Sequence, residues 1–290
     1  MELSIAYELY MKPHEFPTKT AMEIVRQAGF RYVDMSIGPF CLHPDSPILS
    51  SRWEHWAEAT VQTACENGIT MRQAHCLLFN YMDTAQPDHA RLTDINLHLL
   101  DICHALGIEY FVLHPGTAVG AVSAAESLLG SIEWLKPFVE KAEKLGIRLC
   151  MENMFDILVN EQIIRQFGAR PDELGELVDR LNSPAVGVCW DTGHAHIARL
   201  DQKRSLQLLG DRVWVTHLHD NRGRYANDLH LPPFYGSLDW PAFMEGLAEI
   251  NYTGTLNFET EPHTVPSDYM LREFCSIREK GERLLAMLPR

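Results

Sequence analysis

Eight short runs of β-branched and apolar residues alternate with longer amphipathic stretches along the whole chain, and the alternation never breaks. The runs are Leu3–Tyr7, Tyr32–Ile37, Thr70–Cys76, Glu109–His114, Arg148–Asn153, Val186–Asp191, Val213–His219 and Thr255–Glu259. Helical patterning covers Lys19–Ala28, Arg52–Asn67, His89–Leu106, Ser123–Leu145, Pro171–Leu181, His196–Leu209, Pro241–Ile250 and Ser267–Leu288. Gly29, Gly68, Gly107 and Gly146 follow four of these helices as stop signals, because glycine tolerates the left-handed conformation that ends a helix. Strand–helix alternation builds a parallel sheet. Eight units in 290 residues predict a single (β/α)8 TIM barrel over residues 1–290. A doubly wound open sheet would want a glycine-rich phosphate turn after an early strand, and neither G-x-G-x-x-G nor a P-loop occurs.

Hydrophobic residues at 46% and charged residues at 22% support a packed core rather than disorder. No run approaches the roughly 18 uncharged apolar residues of a membrane span. The N-terminus lacks the basic-then-apolar order of a secretory signal. Seven cysteines without a C-x-x-C pair, most of them inside apolar runs, suit buried free thiols in a reducing compartment. The expectation is a cytoplasmic protein with no membrane contact. A net charge of −14 makes the chain a poor general binder of nucleic acid, while leaving room for a local basic patch and for bound cations. Helix-clad barrels often self-associate, so a homo-oligomer stays open, but no residue marks the interface.

In such barrels chemistry sits at the C-terminal ends of the strands. Strands three to eight end at or near His75, His114, Glu152, Asp191, His217 and Glu259. Imidazoles and carboxylates converging from separate strands are what a divalent metal site needs. Three more ligands follow: His194, one helical turn after Asp191, and the i, i+2 pair Asp228 and His230 in the long irregular segment Asp220–Leu238. One ion cannot use nine ligands, so either several ions bind or some of these residues hold substrate.

Each residue also has a plainer reading. A lone strand-end histidine is more often structural, Asp191 could cap the next helix, and Asp228 could form an Asx turn. Glu152 and Glu259 resist this, since an unpaired charge at the end of an apolar strand is costly. His219 shares the strand face of His217, and Glu261 that of Glu259, so either ligand could lie two residues on. His196 reads as a surface or supporting residue. Cys150 and Cys189 read as small apolar filling beneath the site. Arg222 and Arg224 are solvated charges or anion holders, and Arg222, so close to His217, is assigned to substrate.

These motifs resemble the xylose-isomerase-like TIM barrels, a superfamily that includes sugar isomerases, epimerases and endonuclease IV. The resemblance runs through Val112-Leu113-His114-Pro115-Gly116, Met151-Glu152-Asn153-Met154 and Val188-Cys189-Trp190-Asp191-Thr192-Gly193-His194. It continues through His217-Leu218-His219-Asp220-Asn221, Asp228-Leu229-His230-Leu231-Pro232-Pro233, Gly236-Ser237-Leu238-Asp239-Trp240 and Phe258-Glu259-Thr260, so it spans essentially the whole chain. It implies one Mn, Mg, Co or Zn ion held by Glu152, Asp191, His217 and Glu259. Glu152 and Glu259 would then act as the acid–base pair of a sugar, or sugar phosphate, isomerase or epimerase working through an enediolate. The endonuclease branch implies instead a three-zinc cluster on all nine residues, cleaving abasic DNA. This chain departs from that branch, with Gly193 where cysteine is expected and Leu231-Pro232-Pro233 after His230. A metal-stabilised binding protein without turnover is the third reading.

Overall fold

Eight parallel strands curl into a barrel in the computed structural model, which describes residues 1–7, 18–120, 123–223, 227–260 and 269–289. Numbered in chain order, the barrel strands are β1 (Glu2–Tyr7), β2 (Tyr32–Met35), β3 (Thr70–His75), β4 (Tyr110–Leu113), β5 (Arg148–Glu152), β8 (Val186–Asp191), β9 (Val213–His217) and β10 (Thr255–Phe258). They pair in the order β10-β1-β2-β3-β4-β5-β8-β9. The seam between β9 and β10 closes at Leu218, whose N–H donates to the Asn257 carbonyl at 2.7 Å and whose carbonyl accepts from Glu259 N–H at 3.1 Å. Below that, the Thr216 hydroxyl donates to the Thr255 carbonyl at 2.9 Å, so a side chain stands in for a ladder bond.

The surrounding helices are α1 (Thr18–Gln27), α3 (Trp53–Asn67), α4 (His89–Leu106), α5 (Ala124–Leu145), α6 (Pro171–Leu181), α8 (Gln202–Leu209), α9 (Trp240–Glu249) and α10 (Met270–Leu285). Two short helices, α2 (Ile37–Cys41) and α7 (Thr192–Ile197), follow β2 and β8 near their mouth ends. Helix α5 opens with a capping box, the Ser123 hydroxyl and Glu126 carboxylate each satisfying the other's backbone N–H. Gly68, Gly107 and Gly146 end their helices in the left-handed conformation, as the sequence predicts.

Two expectations are corrected. The helix expected over His196–Leu209 is two helices, because the chain turns at Arg199 (φ 56°) and restarts where Asp201 caps α8. Outside the barrel lies an unexpected antiparallel hairpin of β6 (Ile157–Val159) and β7 (Gln162–Ile164), turning through Asn160 and Glu161, both at positive φ. The expected start of the eighth helix at Ser267 lies outside the described residues.

Strand alternation decides what points where. Phe111, Leu113, Leu149, Met151, Val188 and Trp190 belong to the large core that packs the helices onto the sheet. Tyr110, Val112, Cys150, Cys189 and Val215 form a small separate cluster of alternate residues, which is the barrel interior. Cys150 and Cys189 are therefore filling, as expected. Glu152 and Asp191, two residues further along the same strand faces, must open into the barrel mouth. Burial pushes both thiols well above the ordinary cysteine range.

Candidate metal centre

Six adjacent strands bring the six expected side chains together at the mouth: His75 closes β3, His114 follows β4, Glu152 closes β5, Asp191 closes β8, His217 closes β9 and Glu259 follows β10. Glu152 lies at their centre. Its Oε2 is 3.0 Å from Nε2 of both His75 and His114, and its Oε1 is 2.9 Å from His217 Nδ1. A carbonyl can only accept, so His75 Nδ1 carries a proton and donates to the Cys76 carbonyl at 3.1 Å. His217 Nε2 is likewise anchored on Asp34 Oδ2 at 3.1 Å. In both rings the remaining nitrogen faces a carboxylate across a gap that only a second proton or a cation can fill. Histidine metal ligands are oriented in this way.

A second cluster gathers around Asp228. Its Oδ2 lies 2.8 Å from His230 Nε2 and 3.3 Å from His194 Nε2, and its Oδ1 lies 3.7 Å from His219 Nδ1. The far nitrogens are anchored again: His194 Nδ1 on the Asn153 carbonyl (2.8 Å), His230 Nδ1 on the Glu259 carbonyl (3.0 Å), His219 Nε2 on Asp191 Oδ2 (3.0 Å). Asp191 does both jobs considered for it. Its Oδ1 caps α7 by accepting from His194 N–H at 2.6 Å, while Oδ2 faces the site. Asn153 and Asp191 lock β5 to β8, side-chain amide to backbone in both directions.

Among the described residues five groups can offer one ligand atom per residue with all atoms within 4.8 Å of one another; two of them, His75 with His217 and Glu259, and Glu152 with Cys189 and His217, overlap the other three. Those three are Glu152, Asp191, His217 and Glu259; His75, His114 and Glu152; and His194, His219, Asp228 and His230. The nine expected residues all fall within these three groups. The donor chemistry fits a divalent ion, three nitrogens or fewer with carboxylate oxygens in each group. The charge demand fits too. Among the described residues no lysine or arginine pairs with Glu152, Asp191, Asp228 or Glu259, whose ion-pair partners are all imidazoles. Asp228 Oδ1, His219 Nδ1 and Asp34 Oδ1 are buried with no hydrogen-bond partner, which in a native interior points to a missing partner.

Protons partly fill the role in the metal-free molecule. Burial works against the His75 and His217 imidazoliums, yet the Cys76 side chain and Glu152 for the first, and Cys189, Glu259 and Glu152 for the second, hold both well above the ordinary histidine value. Burial would raise Glu152, but His217, His114 and His75 hold it well below the usual carboxylate range. At His114 burial wins and the ring is held below its ordinary value.

Sequence reasoning passed over Asp34 and left His219 as an alternative to His217. Asp34, buried on β2, accepts from Gln73, Asn257 and His217 and fixes the tautomer of His217. Its signal was available, a lone acid inside an apolar strand, but it sits mid-strand rather than at an end. His219 and His217 are both at the site, His217 against Glu152 and His219 against Asp191. His196 bonds Ser237 outside the donor groups, Arg222 is exposed, and Arg224 and Glu261 lie outside the described residues. Beside His114 a cavity of about 250 Å³ is lined by Asn80, Thr117, Gln166, Phe79, Leu78 and Met154 among others.

The family model described as xylose isomerase-like TIM barrel matches residues 22–280. The chain belongs to that family. Among curated proteins, it is 29% identical over 260 residues to the uncharacterised protein y4fM of Sinorhizobium fredii, covering 83% of this chain and 80% of that one. It is 30% identical over 144 residues to a probable endonuclease 4 of Mycoplasmoides gallisepticum, covering 46% of this chain and 45% of that protein, so it spans about half of that relative's length. Two solved structures superpose over nearly the whole chain. A D-tagatose 3-epimerase-like protein gives a TM-score of 0.71 at 21% identity, over 97% of this chain and 99% of its own. The IOLI protein with a bound zinc atom gives 0.75 at 16% identity, over 97% of each. Sugar epimerases, isomerases and endonucleases all occur among the similar proteins. No described helix is long and apolar enough to cross a membrane.

Proposed function

We propose that this chain is a divalent-metal-dependent enzyme that isomerises a sugar or sugar phosphate by proton transfer between neighbouring carbons. The observation that carries the reading is an asymmetry within the group Glu152, Asp191, His217 and Glu259. Glu152 and Asp191 are fully buried with both carboxylate oxygens engaged, whereas the Glu259 side chain is 22% exposed at the mouth. A divalent ion held by these four residues supplies Lewis acidity to a carbonyl and its neighbouring hydroxyl, so that the C–H between them loses its proton more readily. Glu259 is the group placed to take that proton and to return it to the former carbonyl carbon on the same face, the C–H electron pair being held meanwhile as an enediolate. The hydroxyl proton passes to the former carbonyl oxygen, so that carbonyl and hydroxyl exchange places. Glu152, clamped by three imidazoles, positions rather than shuttles. The acid–base pair that the family resemblance implies then reduces to one base, which favours isomerisation over two-faced epimerisation. The uncharged amides and hydroxyl of the cavity beside His114 suit a polyhydroxylated ligand. Arg222, exposed just past the site, is the cation for a charged group on the substrate. The likeness to sugar epimerases and to an inosose isomerase supports the coarser part of the reading, proton transfer beside a carbonyl.

A second reading, hydrolysis of a phosphoester at several ions, is favoured by the sharing of Glu152 between two donor groups and by the endonuclease 4 relatives. One experiment separates them. The metal-loaded protein is incubated with a panel of ketoses in deuterated water, and in parallel with an abasic-site oligonucleotide and a chromogenic phosphodiester. Deuterium appearing at the carbons flanking a carbonyl, and disappearing in Glu259→Gln, establishes proton transfer. Phosphodiester cleavage without any exchange would replace it with the hydrolytic reading.

A further inference from the structure

We infer that His219, its ring admitted by the missing side chain of Gly193, is a fourth protein donor that closes the metal site of His194, Asp228 and His230. The inference rests on reading the barrel mouth as a divalent-metal centre. His219 is the new element, for it lies outside the nine residues that the family resemblance supplies.

Three observations carry it. The first is space. A Cβ on Gly193 would lie 1.9 Å from Cε1 and 2.3 Å from Nδ1 of His219, closer than any real contact. The ring therefore fills the volume that every other residue at position 193 would claim. Gly193 is not at a positive φ, so no turn in α7 requires glycine there. The second is orphaned polarity. His219 is completely buried, its Nδ1 has no hydrogen-bond partner, and neither has Asp228 Oδ1, 3.7 Å away. Two buried acceptors facing each other without a partner cost free energy unless a cation lies between them. A zinc-like ion reaches nitrogen at about 2.0–2.1 Å and carboxylate oxygen at about 2.0–2.2 Å, so one ion bridges a gap of this width. The third is pre-set tautomers. All three imidazoles are anchored through the nitrogen away from Asp228, two of them on carbonyls, which leaves Nε2 of His194, Nε2 of His230 and Nδ1 of His219 pointing inward.

Three imidazoles and one carboxylate complete a four-coordinate shell without water. Sites of that kind hold structure, whereas sites that react keep a position open. Here the ion would fasten the loop bearing Asp228 and His230 to β9 and α7. Because His219 Nε2 is bonded to Asp191, it would also brace a ligand of the central group.

The test uses the full chain, stripped with a chelator and titrated with Zn(II) or Co(II) alone. Ions are counted by elemental mass spectrometry, affinities come from chelator competition, and coordination is read from the visible bands of Co(II). The wild type should bind an ion that Asp228→Ala removes and whose Co(II) bands are those of a four-coordinate site. His219→Asn should weaken that same ion at least tenfold and shift its bands toward higher coordination as water enters. Gly193→Ala should do likewise by displacing the ring, and the double variant should be no worse than either single one. Unchanged count, affinity and spectrum in His219→Asn would overturn the inference. So would binding that responds to His217→Ala but to neither Asp228→Ala nor His219→Asn, an outcome that leaves the central reading standing. A wild type that takes up no divalent ion removes both.

Discussion

Asp220 decides whether the long loop after β9 can hold Asp228 and His230 in place. Its carboxylate is fully buried and accepts four hydrogen bonds: Oδ1 from Asn221 N–H (2.9 Å) and Leu238 N–H (3.1 Å), Oδ2 from Phe234 N–H (3.1 Å) and the Trp240 indole (3.1 Å). In Asp220→Asn one oxygen becomes an NH2 group, so two of the four donors face a donor. The side chain cannot swing aside, because Gly236 lies so close that a Cβ there would be 2.2 Å from Asp220 Oδ1. Each buried N–H left without an acceptor costs about 1–1.5 kcal/mol, and the two surviving bonds weaken as their acceptor loses its charge. The total is roughly 3–4 kcal/mol, or about 6–8 °C in Tm at some 2 °C per kcal/mol for a chain of this size. Thermal unfolding followed by circular dichroism, with limited proteolysis mapping cleavage between residues 220 and 238, reads both effects. A variant that melts within about 2 °C of the wild type and resists proteolysis equally would refute the view that Asp220 organises this loop.

Glu259→Gln should abolish proton exchange while the melting temperature stays within a few degrees, since the side chain is half-buried and contributes no core packing; an active variant would remove Glu259 as the base. Thr216→Val should lower stability by about 1–2 kcal/mol by cutting the hydroxyl bond across the seam, measured by urea denaturation, and a neutral result would mean that Leu218 alone closes the barrel. Metal affinity should rise with pH. In the metal-free protein burial pulls His194 down, but Asp191, Asp228 and Glu152 outweigh it and hold it up to about 10. That proton stabilises the metal-free fold fully below about 6.5 and ceases to do so as pH rises through 10, and an incoming ion must displace it. Chelator competition between pH 7 and 9 should therefore show about a tenfold gain per pH unit for each proton released, and a flat profile would contradict it. Gly38→Ala should destabilise severely, because its Cβ would lie 2.1 Å from the Cys76 backbone; a wild-type melt would show that α2 can shift away.

By itself the sequence determined the barrel, because eight period-two runs separated by amphipathic helices with left-handed glycine stops admit few other arrangements. It also determined the strand-end donors, since His75, Glu152 and Asp191 stand out where apolar runs terminate in charge or imidazole. Only the tertiary structure decided how they are shared. Asp34 is mid-strand and became part of the site because β2 and β9 face each other across the barrel, a distance that no local pattern encodes. The break in the helix after β8 came from one residue at positive φ, against a propensity that favoured continuing. Glu152 and Glu259 look alike as residues at strand ends, yet one is clamped by three imidazoles and the other reaches the mouth. His219 likewise could not be told from His217 by spacing, because both lie on one strand face. The empty volume over Gly193, in a different helix, is what lets the second ring turn inward, and side-chain volume matched across the fold is a property of packing rather than of any segment.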